Sequence, residues 1–245
     1  MTGTARPDAA GGAAFVAGAT GYVGREVVRV LAARGVRVLA HVRPDSPRLP
    51  EWRARFARLG AETSDAPWEE DAIAAELARV GATLVFALLG TTRARMRAEG
   101  RAAAVGYEAV DYGLTSLLLR ATRRAAPGAR FVYLSSLGVS AGTRAPYLAV
   151  RWRMEQELRS SGVAYSIARP GFITGPDRDE RRVVERASAA VVDALLGAAG
   201  LVGARRLRDR YGSTTGAALA TALVRAAFDP AVASRVLESE ALRGA

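Results

Sequence analysis

The sequence predicts an α/β fold, a doubly wound parallel sheet with a small, mostly helical cap toward the C-terminus. Three observations lead there. Apolar runs of a few residues alternate with amphipathic helical patterns along most of the chain. The runs are apolar throughout instead of on every second residue, as in strands covered on both faces. The first strand-to-helix junction is the glycine-rich turn Gly18-Ala19-Thr20-Gly21-Tyr22-Val23-Gly24. At 245 residues, 50% of them hydrophobic, the chain can bury a large core as one domain. Residues 13–170 read as the core, and 171–245 as the cap with a last helix and strand.

The elements follow in order. Strands are expected at 13–17, 36–42, 61–63, 83–88, 130–134 and 163–168, and helices at 22–34, 51–59, 69–80, 105–126 and 146–160. The segment 43–50, with three prolines, reads as a loop. Beyond Gly171 the alternation fails, and 173–201 reads as an appended helical cap. Thr214 or Thr215 is placed to cap a last helix through Phe228, before a short strand at 236–237.

Composition narrows the partners. The formal charge is +11, yet all 35 basic residues are Arg, and the chain has neither Lys nor Asn. That pattern is the coding bias of a GC-rich genome, so nucleic acid is set aside as a partner. There is no Cys and a single histidine, His41, which removes disulfides, thiolate metal sites and His clusters; no metal is expected. Residues 1–12 lack the pattern of a signal peptide, and the cytoplasm is the expected compartment. The apolar stretch 187–204 has Asp193 in its middle, glycines within it and Arg186 and Arg205 at its flanks. It reads as a buried or lid helix, not a membrane span, with a homodimer face or a membrane-surface contact as the other readings. The basic run 205–210 reads as a solvated turn.

The glycine turn is where a backbone can cradle a pyrophosphate. A side chain at Gly18 or Gly21 would block the phosphates, and a larger residue at Gly24 would push the helix off the strand. Thr20, Tyr22 and Val23 complete the turn and open the helix, whose free N–H groups and positive dipole end face the anion. Nineteen positions after Gly24, where NAD-specific folds place an acid, stands Arg43. An Arg suits a 2′-phosphate, so NADP(H) is expected over NAD(H). His41 reads as a packing residue. The fourth strand runs out through Leu89, Gly90 and Thr91 at the edge where cofactors lie, and Asp65 is placed either to meet an adenine amine or to cap a helix. The fifth strand ends in Ser135 and Ser136. Tyr147 and Arg151, four apart after Pro146, share one helical face.

With these residues the chain resembles an atypical short-chain dehydrogenase/reductase, most like the Tat-interacting-protein branch of that superfamily. The resemblance runs from about residue 13 to 175 and rests on the glycine turn, Leu-Gly-Thr-Thr-Arg at 89–93, Ala98-Glu99-Gly100, Leu134-Ser135-Ser136, Tyr147-Leu148-x-Val150-Arg151 and Arg169-Pro170-Gly171. It implies a Rossmann sheet, a nicotinamide cofactor, Tyr147 as proton donor or acceptor, and Ser135 or Ser136 holding a substrate carbonyl. It also implies that Pro170, Gly171 and Phe172 lie beside the nicotinamide. One position departs from the family, which has Lys where this chain has Arg151. That Lys bonds the ribose and lowers the tyrosine pKa; Arg151 retains the charge and is expected to reach the ribose differently, through its planar fork. A free tyrosine titrates near pH 10, roughly three units or about 4 kcal/mol from neutrality. The expected function is an NADP-dependent oxidoreductase acting on a small carbonyl or alcohol. The alternatives are a non-catalytic cofactor-binding regulator and an epimerase or dehydratase with tightly held NAD.

Overall fold

The computed structural model describes residues 12–91, 103–174 and 214–243. Its nine strands there are β1 (Ala13–Ala17), β2 (Arg37–His41), β3 (Glu62–Ser64), β4 (Ala82–Ala87), β5 (Arg130–Leu134), β6 (Tyr165–Arg169), β7 (Ile173–Thr174), β8 (Thr214–Thr215) and β9 (Arg235–Glu238). Seven of them form one sheet of order β3-β2-β1-β4-β5-β6-β9. Every pairing in it is parallel. All five residues of β1 are buried, which is why its sequence shows no polar alternation.

Helices cover both faces. On one face lie α1 (Tyr22–Ala33), α2 (Leu49–Ala57) and α6 (Gly216–Phe228). There Val27, Leu31, Phe56, Leu219 and Leu223 pack over Ala14, Val16, Phe86 and Val132. On the other lie α3 (Glu70–Val80), α4 and α5 (Pro146–Ser160). Helix α4 runs from Ala103–Gly106 through a π-helical stretch, Tyr107–Leu114, into Thr115–Ala125. Ile73, Leu77, Leu118, Met154 and Leu158 meet Phe15, Val85, Phe131 and Tyr133 on this face. Alternate residues of one strand thus serve opposite cores, and each fully buried Leu or Phe contributes about 1.5–3 kcal/mol. A short helix, α7 (Ser239–Arg243), ends the described chain.

Several boundaries differ from the sequence reading for local reasons. Helix α2 begins at Leu49, inside the expected loop, because Pro50 falls in its first turn, where no N–H is needed. Strand β6 begins at Tyr165 because Gly162, at φ +79°, and the Ser161 hydroxyl, accepting from Val163 N–H, hold the preceding residues in a turn. Thr215 is the residue that caps α6, its Oγ1 accepting from Ala218 N–H at 3.2 Å. Strand β9 pairs with β6, Ser166 opposite Arg235, so the sheet extends past residue 170, where the sequence pattern ends the core. The segments 98–100, 187–204 and 205–210 lie outside the described residues. Among the described residues, no helix is long and apolar enough to cross a membrane.

The chain leaves β1 toward β2 and β3, then returns to place β4 on β1's other side. The flanking connections diverge at this reversal and leave a crevice at the carboxyl ends of β1 and β4. Close approach of α1 to β1 sets one wall of that crevice. A Cβ at Gly24 would stand 2.1 Å from the Gly18 carbonyl oxygen and 2.9 Å from Ala19 Cα. Gly24→Ala therefore forces α1 outward at a cost of about 1–3 kcal/mol. Each kcal/mol lowers the midpoint by about 2–4 °C. Gly128→Ala, whose Cβ would meet nothing within 4 Å, leaves the midpoint unchanged. Thermal unfolding of both variants followed by circular dichroism checks the contrast.

Candidate functional site

A cleft of about 730 Å³ opens at the reversal. Gly18, Thr20 and Gly21 form its floor, His41, Arg43, Asp45 and Trp68 one end, and Leu88 through Thr91 with Ala109, Val110 and Leu114 of α4 the other wall. Gly18 sits at φ +80°, and a Cβ there would lie 2.5 Å from the Leu88 carbonyl oxygen, so only glycine allows the turn and β4 to lie this close. The turn closes by Gly21 N–H donating to the Gly18 carbonyl at 2.9 Å. Among the described residues no side chain caps the first N–H groups of α1, which leaves them open to an anion. A dinucleotide fits these donors and this backbone cradle.

Of the other turn residues, Val23 is buried in the core. Tyr22 turns toward the C-terminal part of the chain, its hydroxyl donating to the Thr174 carbonyl at 3.2 Å and its ring filling the space beside Gly216. Arg43 lies exposed at the mouth of the cleft, 3.6 Å from Asp45. Asp65, expected to meet an adenine amine or to cap a helix, caps no helix among the described residues. It pairs with Arg53 at 2.7 Å, and the N-cap of α3 is Glu69, which makes no side-chain cap. Trp68 lines the cleft instead, its ring 4.6 Å from that of His41. His41 is a packing residue as expected: it is buried against Phe15 and Trp68, with Nε2 2.8 Å from the Ala66 carbonyl oxygen. Burial lowers its pKa, against the pull of that carbonyl, which keeps the imidazole neutral near pH 7.

Beyond β5 the two serines diverge. Ser135 N–H continues the sheet to Ala168, and its hydroxyl donates to the buried Glu155 at 2.6 Å. Glu155 is also held by Arg169, which reaches on to Glu238. Ser135 is thus engaged inside the sheet edge. Ser136 is half-buried, and its hydroxyl donates to the Leu137 carbonyl at 3.3 Å. Pro170 is buried, while Phe172 is an exposed large hydrophobic side chain.

Tyr147 projects from the first turn of α5, its ring 5.2 Å from that of Tyr107 on α4. The Arg151 guanidinium lies 5.3 Å from the Tyr147 ring centre and 5.5 Å from that of Tyr133. Arg151 is 4% exposed, and both terminal nitrogens are taken by protein oxygens. Nη1 donates to the Leu134 carbonyl and the Tyr133 hydroxyl, and Nη2 to the Leu89 carbonyl and Asp111. Burial pushes the Tyr133 hydroxyl up to about 12, so Tyr133 stays protonated. Arg151, expected to reach a ribose, sits behind Gly90, whose added Cβ would lie 2.9 Å from Nη2. Asp111 escapes a reading of the sequence, because a lone acid on an apolar helix face gives no signal of a partner forty positions away.

The family profile described as NAD(P)H-binding matches residues 18–194. Over 169 residues the chain is 30% identical to a ceramide reductase of Caulobacter vibrioides, covering 69% of this chain and 49% of that protein, so it spans about half of that relative. Over 178 residues it is 32% identical to the mitochondrial protein fmp52-1 of Aspergillus terreus, covering 70% of each. In fold it is similar to acetoin dehydrogenase from Enterobacter cloacae, with a TM-score of 0.64 and 15% identity over 94% of this chain and 95% of that one. With its cradle, parallel sheet and ordered motifs, the chain belongs to the NAD(P)H-binding family of Rossmann proteins, in keeping with its resemblance to the atypical short-chain dehydrogenases.

Proposed function

We propose that this protein is an NADP(H)-dependent oxidoreductase that interconverts a carbonyl and its alcohol in the cytoplasm. The observation that carries the reading is Tyr147, half-buried on α5 and set between the Tyr107 ring and the Arg151 guanidinium. The backbone of Gly18 to Gly21 and the N–H groups opening α1 hold the pyrophosphate, and Arg43 swings from Asp45 to the 2′-phosphate. Leu89, Gly90 and Thr91 line the ribose and nicotinamide end, closed from the far side by Pro170, Gly171 and Phe172. A bound nicotinamide supplies or accepts the hydride. In the reducing direction the Tyr147 hydroxyl gives its proton to the carbonyl oxygen as the hydride reaches the carbon, and it recovers a proton from solvent afterward. Ser136 donates a hydrogen bond to the same oxygen; Ser135 is committed to Glu155.

A second reading, a cofactor-binding regulator without turnover, is favoured by one observation: the cation beside Tyr147 is balanced by Asp111 and engaged by protein acceptors. Substrates range from small aldehydes and ketones to lipid carbonyls, the last extended from the ceramide reductase relative. A homodimer is part of the proposal as an assembly to be measured.

A charge-assisted bond from Arg43 is worth about 1.5–3 kcal/mol, so NADPH binds roughly 10- to 150-fold tighter than NADH. Arg43→Ala erases most of that ratio in calorimetry, and equal affinities in the parent would make Arg43 a surface residue. In a steady-state NADPH-oxidation screen of aldehydes, ketones, quinones and a keto-lipid, the parent turns over at least one substrate. Tyr147→Phe abolishes that turnover, with cofactor affinity within about twofold of the parent. Parent-like rates in Tyr147→Phe would remove this mechanism, and an inert parent would leave the regulator.

A further inference from the structure

The structure assigns to Asp111 and Arg151 a joint role as positioning residues: together they form an internal ionic staple that shapes the cofactor loop Leu89–Thr91, in place of a direct contact from Arg151 to the ribose. The inference rests on the proposal that the cleft binds NADP(H). Asp111 is fully buried at 0% exposure, inside the π-helical turn of α4, and its two carboxylate oxygens do different work. Oδ1 takes Arg151 Nη2 at 2.6 Å, and Oδ2 takes the backbone N–H of Thr91 at 3.1 Å. From the other side Arg151 bonds the carbonyl of Leu89 at 3.1 Å, so the residues on either side of Gly90 are both tied to this one pair. The same guanidinium binds Leu134 at the end of β5. The loop wall and the edge carrying the two serines are thereby fixed to one planar fork.

The geometry of the fork makes Arg151 poorly replaceable by Lys. Arg151 spreads its donors over Leu134, Tyr133, Leu89 and Asp111, whereas an ammonium is a point charge with three donors and cannot span them. Gly90 is required for the same reason: its added Cβ would lie 2.9 Å from Nη2 and 3.5 Å from Asp111 Oδ1. An Asn at 111 keeps one acceptor and turns an amide N–H₂ toward one of two donors, so one arm of the staple is lost.

The test measures two ligands by calorimetry on folded protein, alongside thermal midpoints. NADPH spans the whole cleft, and an adenosine bisphosphate bearing the 2′-phosphate reports only the end held by Arg43 and the glycine turn. Asp111→Asn and Arg151→Lys are each expected to weaken NADPH about tenfold while leaving the bisphosphate within about twofold of the parent. Tighter NADPH binding by Arg151→Lys would instead indicate a ribose contact and overturn the inference. So would unchanged NADPH affinity in both variants, or equal weakening of both ligands, which marks a purely structural role. If one variant does not fold, the other alone gives the same contrast. A parent that binds the bisphosphate but not NADPH would contradict the cofactor reading itself, an outcome distinct from any of these.

Discussion

The contact between Gly24 and the Gly18 carbonyl governs how the first strand and helix meet, and the rest of the cleft is arranged around it. With the helix this close, its leading N–H groups stand at the strand's carboxyl edge, and Val27, Val28 and Leu31 reach the strand face without a gap. Helix α6 then lies along α1, with Gly216 against the Tyr22 ring. A local steric requirement in seven residues is in this way passed to an element that arrives nearly two hundred residues later.

Among the described residues, Asp111 with Arg151 and Glu155 with Arg169 form ion pairs with a buried carboxylate at the carboxyl edge of the sheet. Around Arg151 the acceptors come from the β4 and β5 ends and from α4. Around Glu155, which is fully buried, Ser135, Arg169 and the more distant Arg159 converge, and Arg169 extends to Glu238 on β9. Buried pairs of this kind add little net stability over well-packed apolar residues of the same shape, because desolvation offsets their attraction. They do penalise any arrangement that separates the charges. Burial accordingly lifts the Asp111 carboxyl above the usual aspartate range, against the pull of Arg151. The carboxyl edge beside the cleft is the part of the sheet fixed by such pairs.

The fold is legible in the sequence because its strands are buried on both faces and so appear as uninterrupted apolar runs between glycine or proline stops. Strand β9 is harder to see in full: only Val236 and Leu237 are apolar within it, and its length is set by pairing with β6. The glycine turn and Arg43 can be placed on the cleft from spacing, since both follow strand ends directly. Asp65 cannot, because the partner it meets, Arg53, is an exposed helix residue whose side-chain direction spacing does not reveal. Ser135 and Ser136 are identical in type and adjacent. Only the continued pairing of β5 with β6 decides that the first turns inward to Glu155. Trp68 and Asp111 reach the site across tertiary contacts, and no local pattern announces such contacts.

Strands β7 and β8 form a separate two-stranded parallel pair, Ile173 opposite Thr214 and Thr174 opposite Thr215, reinforced by Thr214 N–H donating to the Phe172 carbonyl at 2.8 Å. Thr174 and Thr215, distant in sequence, therefore lie side by side at one clasp. Because the entropy of closing a loop grows only as the logarithm of its length, once the ends are clasped the framework is nearly indifferent to how many residues lie between them. The clasp therefore lets the length of the intervening sequence change at little cost to the sheet, the glycine turn and the buried charges.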